Sequence, residues 1–171
     1  MFKESTLTLV QQLGAALRQS GWTVTTAESC TGGLLAGALT AVSGSSTWFN
    51  EGFITYANAA KTTVLGVPLA LLTVQGAVST AVVTAMTEGA LARTHANLAM
   101  AISGIAGPDG GTAEKPVGTV CFAWALRKSQ EMLPTVHASI MQFSGDRAQI
   151  RQLAVEHALT QALSIVSGRG I

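Results

Sequence analysis

The sequence predicts an α/β fold: one three-layer α/β/α domain on a mixed sheet, spanning residues 1–171 with a core over about residues 5–166. Three observations carry that expectation. Residues 98–103 and 117–126 are near-continuous apolar or β-branched runs, the pattern of central strands covered on both faces. Such runs alternate along the chain with segments of helical periodicity, the order of a layered α/β domain. Apolar residues make up 48% of the chain and charged ones only 11%, ample material for a core at this length.

Each element has its own signal. Residues 4–20 place Leu9, Val10, Leu13, Ala16 and Leu17 at helical spacing, and Gly21 follows as a stop. Residues 22–27 are rich in β-branched residues and read as a strand leading into a turn, after which 34–39 read as a buried helix. Residues 48–56 predict a second strand, and Asn58 is placed to cap a short helix carrying Lys61, ended by Gly66-Val67-Pro68. A helix over 79–94 shows Val82, Val83, Met86, Ala90 and Leu91 on one face. The two central strands flank a loop at 104–111, and a strand over 135–143 pairs antiparallel with 117–126 through a hairpin at 128–134. A final helix covers 146–166, with fraying expected over 167–170.

Composition excludes several function classes. The net charge is +1 with no Lys/Arg run, so neither nucleic acid nor an anionic membrane is an expected partner. Apolar stretches break before membrane-spanning length and residues 1–20 lack a signal-peptide core, so a cytoplasmic protein is expected. Cys30 and Cys121 form no metal-ligand spacing with each other or with His95, His137 and His157, so no metal, cofactor or disulfide is expected. Neither the phosphate loop of nucleotide triphosphatases nor the dinucleotide fingerprint is present.

The chemistry concentrates in Thr26-Ala27-Glu28-Ser29-Cys30-Thr31-Gly32-Gly33, a strand-to-helix turn. That order points free helix amides at a ligand. Ser29 is the candidate nucleophile, and the amides of Thr31, Gly32 and Gly33 are the candidate oxyanion donors. Lys61 follows the only tyrosine, Tyr56, by five residues, so both tips are expected to converge on one point. A lysine in apolar surroundings loses its proton more readily and can activate a serine. The plainer readings are a capping Ser29, a solvated Lys61 and a half-buried strand Tyr56. Cys30 has no histidine placed as its base, and His157 reads as a core residue rather than a catalyst. The loop from Gly104 to Gly111, with Gly107 among its four glycines, is either an anion-binding concavity or simply good turn chemistry. Arg147 and Arg151, four apart, either reach one anion together or face solvent.

These motifs, together with Gly44-Ser45-Ser46, Tyr56-Ala57-Asn58-Ala59-Ala60-Lys61, Gly76-Ala77-Val78-Ser79, Lys115-Pro116-Val117-Gly118-Thr119-Val120 and Gly145-Asp146-Arg147, occur in an order that resembles the CinA C-terminal domain family over roughly residues 5–165. The resemblance is to its stand-alone nicotinamide-mononucleotide deamidases. It implies hydrolysis of nicotinamide mononucleotide to nicotinic acid mononucleotide and ammonia, in pyridine-nucleotide recycling. It implies Ser29 as nucleophile, Lys61 and Tyr56 as proton-handling partners, and substrate contacts from Thr31, Gly32, Gly33, Ser46, Ser103, Gly104, Gly107 and Arg147. A homo-oligomer, a dimer favoured, is the expected assembly, with a small pyridine nucleotide as the partner. One departure is Ala57-Asn58-Ala59, where relatives carry a serine followed by Asn-Glu. Two rival readings are a catalytically silent paralogue that binds a nucleotide and a competence- or DNA-damage-associated interaction module.

Overall fold

The computed structural model describes residues 2–169. Five strands, β1 (Val24–Glu28), β2 (Phe49–Ile54), β3 (Leu98–Gly104), β4 (Thr119–Leu126) and β5 (Thr135–Gln142), form one sheet in the order β2-β1-β3-β4-β5. β1 runs parallel to both β2 and β3, whereas β3-β4-β5 is antiparallel, so the sheet is mixed as expected. The hairpin joining β4 to β5 sets Leu126 opposite Thr135.

Among the described residues there are six α-helices: α1 (Glu4–Ser20), α2 (Leu34–Thr40), α3 (Asn58–Leu65), α4 (Leu69–Gln75), α5 (Thr80–Arg93) and α6 (Arg147–Val166). α1, α2 and α6 cover one face, where Leu13, Leu17, Leu35, Leu39 and Leu159 pack with Met100, Phe122 and Trp124. α3, α4 and α5 cover the other, where Leu65, Val82, Val83 and Met86 meet the small residues Ala99, Ala101, Ala123 and Ala125. β1 is buried throughout, and β3 and β4 nearly so, because both faces are covered; the edge strands β2 and β5 carry the exposed positions.

Four local expectations need correction. α3 starts at Asn58 itself, with Ala57 as its N-cap and no side-chain capping bond. Residues 69–75 form a helix the periodicity did not reveal, since seven residues between Pro68 and Gly76 are too few to define a face, and Leu69 and Val74 are exposed. Gly104 closes β3 instead of opening the loop. Ser167, Gly168 and Arg169 do not fray: their amides donate to Leu163, Ile165 and Ser164 carbonyls; Gly170 lies outside the described residues.

Candidate active site

β2, β1 and β3 end side by side, and in parallel sheets the edge beyond the strand C-termini is where ligands bind. Ser29 follows β1 in the middle position. Its amide donates to the Ile102 carbonyl at 2.9 Å, and the Gly32 amide returns to the Ser29 carbonyl at 3.0 Å, closing the turn. Gly32 and Gly33 have φ of 57° and 95°, the left-handed region that side chains disfavour. A Cβ on Gly33 would also sit 2.9 Å from Ile54 Cδ1.

Lys61 comes from α3 and is buried, with 1% of its surface exposed. Its Nζ lies 3.0 Å from Ser29 Oγ, 2.9 Å from the Thr55 carbonyl and 3.3 Å from the Tyr56 carbonyl. Burial pushes the amine below its ordinary value of 10.5, because the ammonium loses its water. As an ammonium, Nζ donates to all three oxygens. As a neutral amine it keeps two N–H groups, one for each carbonyl, and its lone pair faces Ser29, whose hydroxyl then donates to Nζ. That is the relation of a base to the nucleophile it activates. Ala57 and Ala59 are exposed, and neither side chain is among the groups that hold the amine. The neighbouring Cys30 is buried, and desolvation pushes its thiol up to about 11.

Glu28, the last residue of β1, is fully buried. Its carboxylate accepts from the amides of Gly33 and Leu35 at 3.0 Å and of Ala36 at 2.8 Å. The start of α2 is thus closed by the protein's own anion, and the expectation of free amides at Gly32 and Gly33 is corrected: one is held by Ser29, the other by Glu28. The turn amides with no oxygen acceptor among the described residues are those of Cys30, which lies against its own thiol, and Thr31. The Thr31 hydroxyl is buried without a partner, and its carbonyl accepts from the Leu34 amide at 3.2 Å and from Arg151 Nη2 at 2.7 Å.

The tips of Tyr56 and Lys61 do not converge. Tyr56 offers Lys61 its carbonyl, while the phenol, with 60% of the residue exposed, turns outward and accepts from Arg147 Nη2 at 3.0 Å. Arg147 Nη1 donates to the Gly107 carbonyl at 2.8 Å. Because β1 lies between β2 and β3, this Tyr56-Arg147-Gly107 link crosses the end of the strand that carries Ser29. Arg147 and Arg151 have separate partners and do not converge on one point. The start of α6 is closed by Asp146, whose carboxylate accepts from the Gln149 amide.

Three other expected contacts are occupied or distant. Ser103 is buried and donates to the Ala77 carbonyl at 2.8 Å. Gly104 is small because β4 passes close by: a Cβ there would lie 2.8 Å from Val120 Cγ2 and 2.9 Å from the Thr119 carbonyl oxygen. Ser46 sits in the 3₁₀ turn Ser45–Thr47 before β2, and Phe49 pairs with Val24 at the start of β1. It is therefore separated from Ser29 by the length of β1, roughly 16 Å at strand spacing. Arg151 enters the sequence reading only as an anion ligand beside Arg147, a role its bond to the Thr31 carbonyl does not match, and Glu28 is not singled out there as a site residue; a carboxylate ending a β-branched strand is the available signal for it. His157 packs against Phe122, Trp124 and Phe143 within the core, away from Ser29, and burial lowers its pKa.

Residues 6–166 match the CinA C-terminal domain family. The chain belongs to that family. The nicotinamide-nucleotide amidohydrolase PncC of Enterobacter agglomerans is 51% identical over 152 residues, 89% of this chain and 90% of the relative. PncC of Escherichia coli K12 is 50% identical over 151 residues, 88% of each. A longer relative from Symbiobacterium thermophilum is 52% identical over 164 residues, but this chain spans only 38% of its length. Among solved structures, the competence/damage inducible protein CihA of Agrobacterium tumefaciens superposes with a TM-score of 0.91 at 42% identity, covering 98% of both chains.

Proposed function

We propose that this protein hydrolyses the carboxamide of nicotinamide mononucleotide, giving nicotinic acid mononucleotide and ammonia in pyridine-nucleotide recycling, with Ser29 as nucleophile and Lys61 as base. The observation that carries the mechanism is a buried, easily deprotonated amine 3.0 Å from the Ser29 hydroxyl. The substrate class follows from the PncC relatives that match this chain nearly end to end.

Ser29 Oγ attacks the amide carbon as its proton passes to Lys61 Nζ. The carbonyl oxygen becomes an oxyanion facing the amides of Cys30 and Thr31, and one such donor stabilises the transition state by roughly 2.7–4 kcal/mol. The Lys61 ammonium then gives its proton to the departing nitrogen, the C–N bond breaks and ammonia leaves. Water attacks the acyl-serine with Lys61 again taking the proton, and the acid and the free serine are released. Proton handling thus falls to Lys61 alone. Tyr56 contributes its carbonyl to the amine and, with Arg147, borders the approach to Ser29. Arg147, a planar fork suited to phosphate, reads the nucleotide's phosphate.

The test is ammonia release from nicotinamide mononucleotide by the purified protein, with the product identified by mass. Turnover to nicotinic acid mononucleotide is expected. Binding without turnover, or hydrolysis confined to unrelated amides, sinks the proposal.

A further inference from the structure

We infer that Arg151 is a positioning residue for the oxyanion-binding turn, fixing the Thr31 peptide and directing positive charge at it without touching substrate. This rests on the serine mechanism proposed above. Among the described residues, Arg151 is the only side chain outside the β1–α2 segment that hydrogen-bonds the backbone of residues 29–33. It does so from α6, 120 residues away in sequence, at 2.7 Å. The carbonyl it grips is that of Thr31, in the peptide next to the one that carries the Thr31 amide, and that amide has no acceptor among the described residues. The guanidinium also lies close over the turn, 3.4 Å from where a Cβ on Gly32 would stand.

Among the described residues no carboxylate forms an ion pair with Arg151. The one ion pair among the described residues joins Lys3 to Glu156, and that carboxylate also accepts from Thr6 and Gln152. Arg151 Nε is buried and has no hydrogen-bond partner among the described residues. Arg151 also lines a cavity of about 260 Å³ with Phe2, Thr6, Leu34, Ala148, Gln152 and Val155, none of them acidic. The charge is felt in the turn: at Cys30 it works, with Lys61, against the burial and the Glu28 carboxylate that raise the thiol. An unpaired, partly buried cation is costly to keep unless negative charge develops beside it, and the amide-derived oxyanion is such a charge.

The experiment compares Arg151→Met and Arg151→Lys with the unaltered protein in three measurements. These are kcat and KM for nicotinamide mononucleotide, the rate of Ser29 labelling by a fluorophosphonate, and thermal unfolding. Arg151→Met is expected to lower both kcat and the labelling rate on the order of tenfold to a hundredfold, with KM within about twofold. Arg151→Lys should recover a substantial part of both. Labelling needs no nucleotide, so a protein that labels but does not turn over nicotinamide mononucleotide refutes the assigned substrate while still testing Arg151. Unchanged kcat and labelling in Arg151→Met overturn the inference. So does a tenfold rise in KM at constant kcat, which would make Arg151 a substrate ligand, or a loss that tracks the unfolded fraction and is not rescued by lysine.

Discussion

Ser29 and Cys30 stand side by side at the end of β1, and their surroundings divide them. The serine faces an amine whose charged form burial disfavours, whereas the thiol, raised to about 11, stays protonated at neutral pH. Ser29→Ala is therefore expected to abolish ammonia release with little change in unfolding temperature, while Cys30→Ala retains activity. The reverse pattern would transfer the nucleophile to Cys30. Lys61 must be neutral to act, so the rate rises with pH through its lowered pKa and levels off below the ordinary 10.5. Lys61→Arg, larger and permanently charged in a site with no exposed surface to spare, is expected to be inactive at every pH; a variant retaining full activity removes Lys61 as base. The same shift affects stability. Below 10.5 the unfolded chain binds this proton more tightly than the folded one, so the destabilisation is full below the folded pKa and fades as pH rises towards 10.5. Urea titrations of the native protein and Lys61→Met should show their stability difference moving in favour of lysine as pH rises, and a pH-independent difference contradicts the burial argument.

Helices and strands were largely legible because each carries its own periodicity: α1, α5 and α6 fall within a residue of the expected bounds, and β3 and β4 were marked by burial on both faces. α4 was not, being a two-turn segment between breakers. The functional reading of α2 went astray for a different reason. Strand, small-residue turn and helix do point amides at one place, but here Glu28 fills it, and whether a helix start binds a ligand or its own carboxylate depends on a rotamer that no pattern encodes. Of the three helices that begin around Ser29, α2 is closed by Glu28 and α6 by Asp146, so neither offers its N-terminus to phosphate, whereas α3 has no side-chain cap. Glu28→Gln should consequently act on the element: it weakens three charge-assisted bonds and destabilises the fold by about 1.5–3 kcal/mol, read as a lower urea midpoint at unchanged slope. An unaltered midpoint would mean that α2 holds the nucleophile turn without its buried cap.

At the scale of the molecule, the site consists of residues that only the fold brings together. Ser29 and Lys61 lie 32 residues apart, Arg147 reaches Gly107 across 40 and Tyr56 across 91. The sequence nominated most of these side chains, yet it placed Tyr56 against Lys61 and included Ser46, because local spacing carries no information about strand order or about which end of the sheet a turn occupies. Strand order sets how substrate is chosen. Arg147 spans from the end of β2 to the end of β3 over the strand bearing Ser29, and its present acceptors are a carbonyl and a phenol, neither of them charged. A phosphate is the better acceptor for such a fork, and its binding energy holds the distant carboxamide against Ser29. Nicotinamide riboside and free nicotinamide, lacking the phosphate, should be poorer substrates by on the order of a hundredfold in kcat/KM, about 2.7 kcal/mol of transition-state stabilisation. Arg147→Ala should reduce kcat/KM for the mononucleotide and leave that for the riboside nearly unchanged, so that the gap closes from one side only. If mononucleotide and riboside are turned over with equal kcat/KM, phosphate is not read and the link from Tyr56 through Arg147 to Gly107 is structural; if Arg147→Ala lowers both equally, Arg147 serves the geometry around Ser29 and not the choice of substrate.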